Sequence, residues 1–146
     1  MDQGQNISLN IVHKDDYKVL YIIFSENFTN NDVNTTIVML QNFFDNCNKN
    51  KIKFAWVFNC KKLKGISLMA LETFSKFCRT NFNTIKENLI CNCLISSEGL
   101  FNQFFGIFTK IYKPTKPLIN FSELEKCDDF IEDCLNGKYK NDTIIY

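Results

Sequence analysis

The chain has 146 residues, 45% of them hydrophobic and 15 of them Phe, with a formal net charge of +1. That composition supports one compact domain over residues 1–146 with a real core. Balanced charge excludes a field that would draw it to nucleic acid or an anionic membrane.

Arg79 is the single Arg among 17 basic residues, whereas phosphate readers favour the bidentate fork of Arg. No nucleic-acid partner is therefore expected. The opening MDQGQNISLN has neither a basic stretch nor a long apolar run, so no secretory signal is expected. The longest strongly apolar run, 19–24, falls far short of the ~20 residues of a spanning helix. Seven cysteines sit mostly within apolar patterns. They fit reduced, buried thiols in a cytoplasmic protein better than a disulfide framework. Abundant Lys, Asn, Ile and Phe suggest an AT-rich genome, such as that of a protist or a large DNA virus.

Ile7, Leu9 and Ile11 alternate with polar residues, the period of a half-buried strand. A polar turn at Lys14-Asp15-Asp16 leads into 18–25, KVLYIIFS, a strand apolar on both faces. Asn30, Asn31 and Asp32 are N-cap candidates for a helix with Val33, Ile37, Leu40, Phe44 and Cys47 on one face, closing in a loop at 48–51. FAWVF at 54–58 reads as a central strand. Ser67 is the expected cap of the next helix, which carries Leu68, Leu71, Phe74 and Cys78 and ends between Arg79 and Asn88.

Residues 89–95 form another strand, and 99–112, GLFNQFFGIFTKIY, a third helix. Pro114 and Pro117 break it ahead of a fifth strand at 118–121. Ser122 and Glu125 have capping-box spacing for a last helix that buries Leu124, Cys127, Phe130, Ile131, Cys134 and Leu135 and stops at Gly137. Residues 138–146 are an unassigned tail to a core of about 7–135.

The order β-β-α-β-α-β-α-β-α predicts an α/β fold: a mixed, mostly parallel five-stranded sheet covered by about four helices. The third helix is the anomaly. Leu100, Phe101, Phe104, Phe105, Ile107, Phe108, Ile111 and Tyr112 spread over more of its surface than the ~100° stripe of an ordinary amphipathic helix. The surplus needs a neighbour.

No residue constellation announces an enzyme. His13, the single histidine, reads as an exposed strand-end residue. Cys91 and Cys93 share a strand face, but two thiols are half a metal site, and no metal or cofactor is expected. Asn59, Cys60 and Lys61, with Ser67, surround the carboxyl end of the central strand, where open sheets bind ligands. They form a secondary candidate site without the glycine pattern of a phosphate loop. Cys60 or Ser67 would be the nucleophile of any enzyme reading, with no base to activate either. The acidic cluster Asp128, Asp129, Glu132 and Asp133 reads as a solvent face.

The segment FAWVFNCKKLKGISLMALETFSKF resembles the central strand, loop and helix of STAS domains, the group of anti-sigma-factor antagonists. Asn59 stands where that family carries its first Asp, and Met69 where its phosphorylatable Ser belongs, so the phospho-switch is not implied. LICNCLISSEGLFNQFFGIFTKIYKPTKPLINF resembles the later part of CRAL-TRIO lipid-transfer domains, in which an aromatic-rich helix helps to close an apolar cavity. The STAS resemblance implies a non-catalytic regulatory module. Its expected contact surface is Phe101, Phe104, Phe105, Phe108 and Tyr112, rimmed by Lys110, Lys113 and Lys116, and meeting a protein partner or a second copy. The alternative is a carrier of a lipid or other apolar ligand, with peripheral membrane contact left open and the same aromatics lining a cavity.

Overall fold

The alternation at the start of the chain becomes β1 (Ile7–His13), which pairs antiparallel with β2 (Tyr17–Phe24). The computed structural model describes residues 7–26, 28–121, 123 and 126–145, with Glu98 described in its backbone alone. Beyond the hairpin the chain runs α1 (Asn30–Asn50), β3 (Lys53–Asn59), α2 (Leu68–Thr80), α3 (Phe82–Asn88), β4 (Leu89–Ile95), α4 (Glu98–Phe108), β5 (Leu118–Phe121), α5 (Cys127–Leu135) and β6 (Ile144–Ile145). One mixed sheet holds the strands in chain order, β1-β2-β3-β4-β5-β6, with every pair after the first parallel. The α/β architecture expected from the element order is present. No described helix is long and apolar enough to cross a membrane.

The differences from expectation have local causes. The expected tail contributes β6, because the backbone N–H of Leu118 bonds to the Thr143 carbonyl and leads Ile144 into register with β5. Six strands therefore replace five. The second helix region divides at Asn81, whose backbone N–H and side-chain amide both bond to the Phe77 carbonyl. The described residues thus hold five helices. Thr29, and none of Asn30, Asn31 or Asp32, is the N-cap of α1; Asp32 completes its capping box. That helix runs on to Asn50, and Lys51 turns it off in the left-handed conformation (φ 54°). The third helix stops at Phe108, short of Tyr112. The Ser122–Glu125 box and Leu124 lie outside the described residues.

Two cores flank the sheet. Alternation along β3 sends Phe54, Trp56 and Phe58 to one face and Ala55 and Val57 to the other. The first face is covered by α1, α2, α3 and α4 and is strongly aromatic: Phe44 meets Phe54, Trp56 and Phe77 at ring-centroid distances of 5.0, 5.3 and 5.1 Å. The second is covered by α5 and carries small side chains, among them Cys91, Cys93 and Cys127. The register shifts between β3 and β4. Phe54 faces Leu89 but Trp56 faces Asn92, so one extra residue of β4 is taken up. That bulge brings Asn92 beside Trp56 on the aromatic face.

Two phenols tie α5 to β2. Tyr17 Oη donates to Glu132 Oε2 at 2.6 Å, and Tyr21 Oη approaches Asp128 Oδ1 at 3.5 Å. Burial first, then the neighbouring carboxylates, hold both phenols above their ordinary value, Tyr21 at about 12. In the unfolded chain they titrate near ~10. A raised folded value means that this stabilisation is complete below the unfolded value and is lost as pH rises through the folded ones. The urea midpoint should therefore fall once pH passes about 10, and Tyr17→Phe should make that fall shallower. An equally steep fall in the variant would show that Tyr17 is not responsible.

Candidate functional site

The aromatics of α4 and of the loop after it face inward. Phe101, Phe104 and Tyr112 are buried, while Phe105 and Phe108 are half-buried. The outward positions of the helix are Asn102, Gln103 and Gly106. None of the five aromatics of the contact surface expected from the sequence is exposed. None of the exposed large hydrophobic residues, such as Val38, Leu68 and Met69, lies on α4. Its surplus apolar surface is absorbed by ring contacts: Phe101 on Phe105 at 5.4 Å, Phe108 on Phe74 at 5.8 Å and Phe108 on Tyr112 at 5.7 Å.

What these rings line is an apolar cavity of about 140 Å³, partly open to solvent, between the helices and the aromatic face of the sheet. Phe24, Trp56, Phe58, Asn92, Leu94 and Leu118 line its floor. Val33 and Ile37 of α1, Ala70, Leu71 and Phe74 of α2, and Phe101, Phe104, Phe105 and Phe108 of α4 line its walls. Tyr112, Pro114 and Thr115 close one side from the loop after α4.

That loop is held from two directions. Arg79 Nη2 donates to the Ile111 carbonyl at 3.0 Å. On the other side, Asn92 Nδ2 donates to the carbonyls of Lys116 and Pro117 at 3.3 and 3.4 Å, while its Oδ1 accepts from Trp56 Nε1 at 2.6 Å. The segment between carries two buried hydroxyl oxygens, Tyr112 Oη and Thr115 Oγ1, that are neighbours of each other and reach no other hydrogen-bond partner. Burial pushes the Tyr112 phenol up to about 12, with Thr115 beside it offsetting part of the rise. It stays protonated at neutral pH.

Of the expected basic rim, Lys113 and Lys116 line a second depression of about 220 Å³ on the far side of the same loop, whereas Lys110 is exposed and lines neither. Phe105 and Pro114 belong to both linings, so the loop partitions an apolar space from a polar one. Lys116 is half-buried, and burial together with the like charge of Lys53 lowers its ammonium below its ordinary value.

The secondary candidate residues form a turn and a cap. Asn59 Oδ1 accepts from the Lys61 backbone N–H at 3.2 Å, and the Lys61 side chain points to solvent. Cys60 is buried, and burial pushes its thiol up to about 12, far from a nucleophilic thiolate. Ser67 Oγ accepts from the Ala70 N–H at 3.0 Å, the expected cap, and donates to Asn30 Oδ1 at 2.5 Å. Met69, at the position corresponding to the STAS serine, is exposed.

Cys91 and Cys93 are joined by two thiols of α5: Cys134 neighbours Cys91, and Cys127 neighbours Cys93. This is a row and not a shell, because Cys127 and Cys134 sit two turns apart on α5. Among the described residues no group of three or more ligating side chains could hold a metal.

Asn92, Arg79 and Thr115 were not legible as site residues. Asn92 stood out in the sequence only as the spacer between two cysteines. Comparison with known proteins returns no matching family model and no similar curated sequence.

Two substitutions test this arrangement. Asn92→Leu strands the Trp56 indole N–H and two loop carbonyls, and should lower stability by about 2–4 kcal/mol in chemical denaturation; an unchanged midpoint would refute the bridging role. Tyr112→Phe removes a hydroxyl whose hydrogen-bond neighbour is Thr115, without changing the ring. Stability should stay within about 1 kcal/mol of the parent, and a larger loss would reveal a further partner for that hydroxyl.

Proposed function

We propose that this chain is a non-catalytic binding module that takes a small apolar ligand in the cavity beneath α4. One observation carries the reading: the most aromatic helix of the chain turns its rings inward around an apolar void of about 140 Å³. An engineered cavity of ~150 Å³ lined by Leu, Ile and Phe stays dry and binds benzene. The space therefore suits a ring, or the end of an aliphatic chain. A whole lipid is too large for it, since pockets for drug-sized molecules run from ~300 Å³ upward.

A second reading is a regulatory module of STAS type acting on a protein partner. Its support lies away from α4. Leu68 and Met69 open α2 with 56% and 61% of their surface exposed, in the segment that resembles the switch region of that family.

The test is a titration with benzene followed by methyl-region NMR. Binding should perturb residues of α2, α4 and β4 that line the cavity, with those of α5 unmoved. Ala70 is buried in the α2 wall, so Ala70→Leu should fill the space and abolish binding, with the fold retained by circular dichroism. Failure of the wild-type protein to bind benzene would sink the cavity reading.

A further inference from the structure

Four of the seven thiols, all of them free, meet on the face of the sheet away from the cavity. Alternation along β4 sends Cys91 and Cys93 to that face, both fully buried. Helix α5 packs against them and carries Cys127 at its start and Cys134 in its last turn. Each strand thiol thereby gains a partner on the helix, Cys134 beside Cys91 and Cys127 beside Cys93.

The two pairs differ in access. Cys93 and Cys127 are sealed in the core at 0% and 1% exposure, whereas Cys134 is half-buried. A small oxidant can therefore reach one sulfur of the first pair and neither of the second. Ionisation favours the same pair. A thiolate at Cys91 accepts from the thiols of Cys134 and Cys93 and is held below its ordinary value, while Cys134 is raised. The pair gives up its first proton readily and its second with difficulty. Passing the remaining proton between the two sulfurs brings the charge to Cys134, where solvent meets it.

We propose that Cys134 and Cys91 form an oxidation site for hydroperoxides, with Cys134 reacting first and Cys91 resolving the product. In the first step the Cys134 sulfur bonds to one peroxide oxygen and the O–O bond breaks. The other oxygen leaves as water or an alcohol, taking the thiol proton, and Cys134 becomes a sulfenic acid. In the second step the Cys91 sulfur bonds to the Cys134 sulfur and the S–O bond breaks. Hydroxide leaves as water with the Cys91 proton. The two thiols lose two electrons in all, and the peroxide gains them. The resulting disulfide clamps α5 to β4 and is reopened by thiol exchange. The sealed pair, Cys93 and Cys127, stays reduced.

The test treats the folded protein with hydrogen peroxide, quenches in acid, blocks the remaining thiols with N-ethylmaleimide and maps peptides without reduction. The intact mass before blocking should fall by two hydrogens, and one linked peptide should join Cys91 to Cys134. Cys134→Ser, at a half-buried position that tolerates the change, should abolish that loss. Cys91→Ala should leave a sulfenic acid on Cys134 that dimedone traps as a single adduct. Amide exchange in α5 should slow on oxidation of the wild-type protein and recover with dithiothreitol. A link between Cys93 and Cys127 instead, or a mass loss that survives Cys134→Ser, would overturn the assignment. Oxygen added to Cys134 with no link would overturn Cys91 as the resolving thiol, and an unaltered mass would overturn the site. Unchanged exchange in α5 would overturn the clamp.

Discussion

Trp56 is the point from which the aromatic half of this molecule is organised. It lies at the centre of the sheet, 2% exposed, with rings on both sides along β3 and above it from α1 and α2. An indole in that position must find an acceptor for its N–H, and the acceptor is Asn92. The amide that meets this need has two donors of its own, and they reach the carbonyls of Lys116 and Pro117. A requirement in the middle of the sheet thereby fixes a loop at its edge. The bulge in β4 is part of the same constraint, since without the extra residue Asn92 would face the thiol side and leave Trp56 unpaired.

The two faces of the sheet solve the packing problem differently. Four helices cover the aromatic face, as expected when the parallel strands β2 to β5 follow one another in chain order and the crossovers between them keep one hand; the connection from β5 to β6 departs from this by carrying α5 on the other face. Large rings fill that layer and leave a void. The opposite face meets α5 through Val, Ala, Ile and Cys side chains at its centre, with Tyr17, Tyr21 and Phe121 around them. The Tyr17–Glu132 bond and the row of thiols set α5 in place there. Small side chains on that face allow a single short helix to approach closely, which explains why the cysteines cluster without forming a metal shell.

Much of the fold could be read from residue periodicity, because strands and helices announce themselves by which side chains they bury. The bounds expected for β4 and β5, the cap at Ser67 and the stop at Gly137 (φ +77°) all correspond to what is observed. Features that depend on distant partners were not legible. The strand β6 has two residues and exists through pairing with β5, and α3 has seven with no side-chain cap bond. The cavity belongs to the same class. Periodicity showed that α4 has more apolar surface than one buried face needs. Whether that surplus turns toward solvent or inward depends on Phe74 and Trp56, neither of which is near it in sequence. Thr115 could not be singled out for the same reason: its place beside Tyr112 results from where the loop is pinned.

The apolar pocket beneath α4 departs from what folding alone would select. Its lining forfeits the packing contacts that a filled space of about 140 Å³ would supply. A larger side chain at Ala70 would fill it. Departures of this kind concentrate where a chain is shaped for something other than its own stability. An occupant that fills the space restores those contacts, so the least closely packed part of the ligand-free fold is the part best prepared to bind.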